Sequence, residues 1–318
     1  MAKDIISFRK YVCFIIRHTA IFLIFGVCSS WCIASTHANV SVIFSSDIEP
    51  YQKTWEGFRD YLGENGISVD YFKYNMKKQP IDDIIQQFSV NKTNLIFSIG
   101  PQSSHQVSEK IIDLPVVFSM ILKPERISNT NITGVTMDVP VIVKLKNTID
   151  VLKKVKRIGM IYSKNSLPFY NEFKKGCEDL GLVSVAKEIE SEEEFVDAFK
   201  SMVWNIDCFM MIPDTTVYIP ESIKYLLSEA LREKIPVIGL SSPYTKAGAL
   251  ISFESNYYEA GKQAAQIAME ILRGKSPDTI PAESPRKVDY SVNLFVAERL
   301  GIKLSRQIVN ESREVFGK

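Results

Sequence analysis

Short apolar runs alternate with amphipathic stretches along the chain from residue 39 onward. The runs are about four to eight residues long, rich in β-branched residues and bounded by polar positions, which is typical of buried strands. Between the runs, apolar residues recur at helical spacing, as Trp55, Phe58 and Leu62 do before the stop signals Gly63 and Gly66. Strands that alternate with helices in this way predict βαβ units and parallel sheets.

The alternation runs through two consecutive rounds of similar size, with the first ending near residue 138. The predicted strands are 40–45, 68–74, 94–99, 115–118, 133–137, 158–162, 182–186, 208–212, 237–240 and 287–291, and 249–253 is a further short apolar segment. The predicted helices are 51–62, 81–90, 101–112, 141–152, 168–180, 192–202, 221–234, 257–272 and 293–300, followed by a helical tail. No linker rich in Ser, Gly or Pro separates the rounds, so the pattern favours two lobes that exchange strands over two independent domains.

Residues 1–38 differ from the rest of the chain. They combine a basic start, an apolar run from Ala20 to Ile33 and a small polar stretch that ends at Ala38. This three-part pattern predicts a secretory signal peptide cleaved after Ala38, so that the mature chain begins at Asn39. The apolar run is shorter than the ~20 residues that span a bilayer, and an uncleaved membrane anchor is the alternative.

Composition excludes several classes of function. The chain has 318 residues and a formal net charge of +1, and loss of the leader's four basic residues and one acid takes that charge to about −2. This balance argues against nucleic acid as a partner, because phosphate binding needs a basic excess. Outside the leader only Cys177, Cys208 and His105 remain of the cysteines and histidines, too few for a disulfide scaffold or a typical zinc site. The two cysteines could pair, but we expect a separated, partly buried pair of free thiols.

The sequence also lacks the common motifs of catalysis. It contains no G-x-S-x-G elbow, no G-x-G-x-x-G after the first strand, no P-loop and no H-E-x-x-H. His105 has no histidine or cysteine partner and is interpreted as a surface or cap residue of its helix. We therefore expect no catalysis, no metal and no cofactor; an enzyme of unknown type that uses paired carboxylates is the remaining alternative.

Small polar and aromatic residues follow most of the predicted strands. In open α/β sheets ligands bind outside the carboxyl ends of the strands, where hydroxyls and helix N-termini can hold an anion and a carboxylate such as Asp214 can pair with an ammonium group. Tyr51, Tyr244 and Tyr257 are candidate aromatic walls. Helix capping favours the same small residue types and is the alternative for each of them. The candidate ligand-binding residues are Ser46, Asp47, Tyr51, Pro101, Gln102, Ser103, Ser119, Asp214, Thr215, Ser241, Tyr244, Asn256 and Tyr257.

Several motifs in order along the chain resemble one family. They include the segments 115–118 (Pro-Val-Val-Phe), 235–238 (Ile-Pro-Val-Ile), 248–252 (Gly-Ala-Leu-Ile-Ser), 256–265, 271–277 and 292–302. On these residues the chain resembles the substrate-binding components of ABC importers, within the subfamily that includes tryptophan- and tyrosine-binding members. Where that family often has Gly-Thr-Pro and Asp-Asn-Thr, this chain has Gly100-Pro101-Gln102 and Asp214-Thr215-Thr216, so the ligand's polar contacts are expected to differ.

The resemblance implies a type I periplasmic-binding-protein fold. In this α/β architecture two Rossmann-like lobes with parallel sheets are joined by a three-segment hinge, with crossings near residues 138, 248–252 and 281–287. The implied division is 1–38 as leader, 39–138 plus 250–282 as the N-terminal lobe, and 139–249 plus 283–318 as the C-terminal lobe. The implied function is a monomeric, periplasmic or extracytoplasmic protein that closes on a small zwitterion, an amino acid, and meets an ABC permease with its cytoplasmic ATPase. A ligand-sensing module for a membrane kinase or chemoreceptor is the alternative, because the same fold serves both.

Overall fold

The computed structural model describes residues 37–122 and 129–317. Its strands form two sheets. The first contains β1 (His37–Phe44), β2 (Ser68–Asn75), β3 (Leu95–Ile99), β4 (Val116–Ile121) and β5 (Ile132–Thr136). The second contains β6 (Arg157–Tyr162), β7 (Val183–Glu188), β8 (Cys208–Met210), β9 (Val237–Gly239), β10 (Ile251–Ser255), β11 (Val288–Asn293) and β12 (Glu314–Phe316).

The two sheets share a mostly parallel topology. The first has the order β2-β1-β3-β4-β5, and every pairing in it is parallel. The second has the order β12-β11-β10-β9-β8-β6-β7, and its one antiparallel pairing joins β10 to β11. Parallel strands are buried on both faces, which is why β3 and β4 are runs of buried residues without polar alternation on an outer face.

Helices occupy the connections between the strands, as the periodicity predicts. They are α1 (Glu49–Glu64), α2 (Ile81–Val90), α3 (Pro101–Lys110), α4 (Val141–Val151), α5 (Leu167–Asp179), α6 (Phe195–Met202), α7 (Pro220–Arg232), α8 (Ser242–Ala247), α9 (Tyr257–Leu272), α10 (Leu294–Leu300) and α11 (Arg306–Glu311). One large apolar core surrounds the second sheet, and two smaller cores lie on either face of the first.

Within the residues that the structure describes, the chain passes between the sheets three times. After β5 it leaves the first sheet for α4, after β10 it returns to α9, and after residue 283 it goes back to β11. The segment before β11 is tied to the first sheet by a parallel bridge from Val135 to Glu283. Three passages leave each half of the molecule built from non-contiguous segments, as expected for lobes that exchange chain.

Helix α9 joins the first half by packing against α1 at backbone distance. A Cβ atom added to Gly57 would lie 1.9 Å from the Tyr258 carbonyl oxygen, and one added to Gly261 would lie 1.9 Å from the Thr54 carbonyl oxygen. Real Cβ atoms do not approach a backbone oxygen so closely, so both positions require glycine for this helix crossing.

Three features differ from the elements predicted by the sequence. Strand β10, assigned to the N-terminal lobe, pairs with β9 and β11 because Ile251 and Phe253 are buried in the core of the second sheet. The middle passage therefore falls at Asn256, after the predicted 248–252. The end of the predicted helical tail is instead strand β12, and the short helix α8 follows β9 where the sequence analysis assigned no element.

The beginning of β1 bears on the predicted leader. His37 and Ala38, the last two residues of that leader, form the first two residues of β1 and pair with Ser68 and Val69. Ala38 is buried. Residues 1–36, which contain the rest of the predicted leader, lie outside the described residues.

Cys177 and Cys208 are both free thiols, and both are buried. Burial raises the pKa of the Cys177 thiol to about 12 and also raises that of Cys208. These thiols are therefore protonated and unreactive near neutral pH. The expectation of free thiols is confirmed, but both are fully buried where partial burial was expected.

Candidate functional site

Three strand ends of the first sheet meet at one edge. The parallel register pairs Phe44 with Ile99 and Ile99 with Ser119, so the residues that follow these strands become neighbours. The Ser45 amide donates to the Ile99 carbonyl at 2.9 Å, and the Gly100 amide donates to the Ser119 carbonyl at 2.9 Å. These contacts extend the ladder beyond the strands and fix the loops that begin α1 and α3.

Ser103, a predicted ligand residue, turns inward instead of towards a ligand. Its side chain is fully buried, and its hydroxyl donates to the Ile99 carbonyl at 3.0 Å while accepting from Ser98 at 2.9 Å. Its amide donates to the Ser45 hydroxyl at 2.8 Å, which uses one of the unpaired N–H groups at the start of α3. Ser103 therefore uses its polar groups within the loop and does not belong to the accessible residues of this edge.

Gly100 makes room for Tyr51 at this edge. Its φ is +97°, and a Cβ atom there would lie 2.6 Å from the Tyr51 hydroxyl oxygen and 2.7 Å from the Ser45 hydroxyl oxygen. Tyr51 is half-buried in the first turns of α1, and burial raises the pKa of its phenol. Tyr51 thus presents an uncharged aromatic side chain beside Gly100.

The other predicted residues of the first sheet differ in accessibility. Asp47 is exposed and accepts a hydrogen bond from Gln52 at 2.8 Å. Ser46 is half-buried, and Pro101 and Gln102 are exposed in the first turn of α3. These four residues remain accessible at the rim.

Ser119 lies at a distorted strand end. Its side chain is fully buried, and its hydroxyl has no hydrogen-bond partner among the described residues. The next residue, Met120, has a φ of +64°, and the register of β4 with β5 shifts between Ser119 and Ile121. A non-glycine residue in the left-handed region costs about 1–2 kcal/mol, so the local packing must hold this bulge in place.

In the second sheet, Asp214 is the hub of a hydrogen-bond network, and its side chain faces inward. Its carboxylate accepts from the Ser163 amide at 2.9 Å, the Ser163 hydroxyl at 2.8 Å and the Ser166 hydroxyl. It also accepts from the amides of Thr216 at 2.9 Å and Val217 at 3.1 Å.

These bonds determine the ionisation of Asp214. Burial acts to raise the pKa of the carboxyl, but the hydrogen bonds from Ser166 and Ser163 outweigh it and hold the pKa below its usual value. Five donors already fill the carboxylate, and only 8% of the residue is exposed. In this structure the carboxylate of Asp214 is thus fully used by the loops after β6 and β8, and it has no free acceptor for a ligand ammonium group.

The remaining predicted residues of this edge stay accessible. Thr215 is exposed beside Asp214. Ser241 is the N-cap of α8, yet its side chain makes no capping hydrogen bond. Tyr244 is half-buried and packs against the core of the second sheet.

Asn256 and Tyr257 line a cavity between the two sheets. The cavity has a volume of about 340 Å³ and is bounded on one side by Glu49, Pro50 and Lys53 of α1. Its other side is formed by Asp289 of β11 and by Arg313, which directly precedes β12. It therefore brings one acid and one base from α1, and one acid and one base from the segments at β11 and β12, around two of the predicted site residues.

Hydrogen bonds fix the residues of this cavity. The Asn256 side chain accepts from the Glu259 amide at 2.9 Å, which caps α9, and donates to Asp289 at 2.8 Å. The Tyr257 hydroxyl donates to Glu254 at 2.9 Å, and burial, followed by the charge of Glu254, raises the pKa of Tyr257.

Sequence reasoning missed Asp289 and Arg313. The pattern predicts a helical tail, so nothing in it indicates that Arg313 lies directly before a strand that pairs with β11. The alternating segment Glu314-Val315-Phe316 was the available signal, and it is too short to identify a strand by itself.

No group of three or more His, Cys, Asp or Glu side chains within 37–122 and 129–317 could hold a metal ion. None of the helices in those ranges has the length and apolar character that crossing a membrane requires.

Known proteins resemble this chain over most of its length. The family described as ABC transporter substrate binding protein matches residues 37–316. A tyrosine-binding protein of Clostridioides difficile (strain R20291) is 24% identical over 257 residues, which make up 75% of this chain and 71% of that protein.

Solved structures share the fold. A ligand-free, open substrate-binding protein with adhesive properties from Clostridium difficile has a TM-score of 0.75 at 23% identity, covering 88% of this chain and 100% of that chain. An ABC domain in complex with L-Trp from Streptococcus pneumonia has a TM-score of 0.59 at 21% identity, with coverage of 88% and 100%. The predicted α/β fold with two largely parallel sheets is confirmed by these likenesses and by the observed topology.

Proposed function

The chain belongs to the family of ABC transporter substrate-binding proteins, and from this premise we propose that it binds an aromatic amino acid outside the cytoplasmic membrane. The family match over residues 37–316 carries the proposal, since members of this family are binding proteins and not enzymes. The ligand class is supported by two similar proteins, one named for tyrosine binding and one in complex with L-Trp.

Binding is proposed to occur by closure of two lobes about the three chain passages. Those passages are short, and each half has its own sheet and core, so rotation can bring two preformed surfaces together without refolding either one. Tyr51, Tyr244 and Tyr257 would provide aromatic contacts. The accessible polar residues Ser46, Asp47, Gln102, Thr215, Ser241 and Asn256, together with Pro101, would provide the rim.

The partners follow from the family. The closed, loaded protein would dock on a membrane permease driven by a cytoplasmic ATPase, and the protein would act as a monomer. Export would use the leader, with the mature chain beginning at Asn39 or a few residues before it. A start before His37 would keep all of β1, including the buried Ala38.

A ligand screen by thermal unfolding tests this function. A ligand present at ~100 times its dissociation constant adds about 2.7 kcal/mol to the free energy of unfolding. We expect tyrosine or tryptophan to raise the melting temperature, and ribose and glucose to leave it unchanged. Small-angle scattering with the same ligands should record a smaller radius of gyration. Stabilisation by sugars alone would contradict the proposal.

A further inference from the structure

The ligand's ammonium group needs a counter-ion other than Asp214. A zwitterionic ligand carries an ammonium and a carboxylate on one carbon, and both must be paired when they leave water. The five hydrogen bonds to Asp214 leave its carboxylate no capacity for a further donor. The inference below rests on the proposed function and concerns which residues hold that charged head.

The cavity at the start of α9 has the matching charges. Asp289 and Arg313 approach it from the second sheet, and Glu49 and Lys53 approach it from α1. A volume of about 340 Å³ lies within the usual range of small-molecule sites, which begins at roughly 300 Å³. Acid and base from both halves of the chain would therefore surround a dipolar group placed between them.

Arg313 is held in place but retains donors for a ligand. Its guanidinium lies over the Tyr257 ring at 5.4 Å from the centroid, and its nearest carboxylates, Glu254 and Glu314, are 3.6 and 3.8 Å away. Both separations exceed hydrogen-bond distance. A guanidinium has five N–H donors in a planar fork that matches a carboxylate. The stacking therefore orients the fork at little cost in conformational entropy.

Asp289 has the corresponding capacity for an ammonium group. Its Oδ2 accepts from Asn256 at 2.8 Å, and an ionised carboxylate can accept about four hydrogen bonds. Because Asn256 also caps α9, its amide cannot turn away without losing that cap. The Asp289 carboxylate is thus oriented by a residue that is itself fixed.

We propose that this cavity receives the charged head of the amino acid, with the carboxylate at Arg313 and Lys53 and the ammonium at Asp289 and Glu49. The apolar side chain of the ligand would then extend from the cavity towards the strand ends that carry Tyr51 and Tyr244. Asp289 and Arg313 become binding residues that the strand-end pattern did not contain.

Calorimetry with truncated ligands tests the assignment. Wild type, Arg313→Gln and Asp289→Asn are titrated with L-tyrosine, with tyramine, which lacks the carboxylate, and with 3-(4-hydroxyphenyl)propionate, which lacks the ammonium. Arg313→Gln should weaken the binding of tyrosine by at least about thirtyfold. It should leave the affinity for tyramine unchanged, because tyramine has no carboxylate to contact Arg313. Asp289→Asn should weaken the binding of tyrosine and leave the affinity for 3-(4-hydroxyphenyl)propionate unchanged, because that ligand has no ammonium group.

Matched controls separate recognition from general damage. Arg299 lies over the Phe295 ring at 5.1 Å, a similar stacking away from the cavity, so Arg299→Gln should bind tyrosine like the wild type. Asp278→Asn is the equivalent control for the acid, and circular dichroism checks that each variant folds. Arg313→Lys should recover part of the lost affinity, because it keeps the charge but not the fork.

Several outcomes would overturn the assignment. If both variants bind tyrosine with unchanged affinity, the cavity is not the site of the charged head, and the proposed function is unaffected. The same holds if a variant loses affinity equally for all three ligands, because the residue would then contribute to lobe closure and not to recognition of the head group. Failure of the wild type to bind any amino acid would overturn both proposals. A structure of the tyrosine complex gives the direct geometric check, with Arg313 expected within about 3.2 Å of the ligand carboxylate.

Discussion

The carboxyl edges of the two sheets use different chemistry to fix their loops. The first relies on neutral hydroxyls, with Ser103 bonded to Ser98, Ser45 and the Ile99 carbonyl. The second relies on one ionised carboxylate, Asp214, which gathers five donors from the loops after β6 and β8. In both, small polar residues that resemble ligand contacts in the sequence serve mainly to shape the loops that carry the accessible residues.

The difference in charge makes the second edge more sensitive to substitution. Asp214→Ala removes a buried acceptor from three backbone amides and two hydroxyls, and each buried donor left unpaired costs about 1–3 kcal/mol. We expect a loss of at least ~3 kcal/mol in the free energy of unfolding, measured by urea denaturation. Ser103→Ala should lose only about 1 kcal/mol. Equal losses at the two sites would break the comparison.

A glycine pair sharpens the description of the first edge. Gly100 and Gly274 have similar φ angles, +97° and +100°, but a Cβ atom would meet Tyr51 and Ser45 at Gly100 and nothing within 4 Å at Gly274. Gly274→Ala should therefore cost roughly 1 kcal/mol for backbone strain alone. Gly100→Ala should cost about 2–3 kcal/mol, because the neighbours must also move. Denaturation curves of both variants measure this difference. Identical losses would mean that the added Cβ atom at residue 100 does not clash with Tyr51 and Ser45.

Acid should weaken the second edge selectively. The pKa of Asp214 is lower in the folded chain than its usual value of about 3.9. The stability that its ionised form contributes is therefore present above that value and is lost as the pH falls through the lower, folded pKa. The stability difference between wild type and Asp214→Asn should shrink from pH 7 to pH 3, whereas that between wild type and Ser103→Ala should not change. If the difference between wild type and Asp214→Asn stays constant with pH, the stability that Asp214 contributes does not depend on its ionisation.

The sequence was a good guide to the strands and to the edge on which the candidate residues lie. Period and length identified the β and α segments because parallel strands and their covering helices are strongly patterned. The same reasoning could not assign the direction of a side chain. Asp214 is turned inward by Ser163, 51 residues earlier, and Arg313 reaches its cavity only because β12 pairs with β11. Both depend on contacts between residues that are distant along the chain, and local periodicity does not report such contacts.

The position of β10 gives the same lesson for the fold. The apolar pattern of β10 is compatible with a place in either sheet. Only its pairing with β9 and β11 assigns it to the second sheet. The passage at Asn256 then sets the start of α9 and brings Asn256 and Tyr257 to the cavity.

The most direct test of the proposed function is a calorimetric titration of the purified protein, freed of bound ligand by unfolding and refolding, with L-tyrosine, L-tryptophan and D-ribose. We expect saturable binding of one molecule of an aromatic amino acid per chain and no heat of binding with ribose. Binding of ribose without binding of either amino acid would contradict the proposed function.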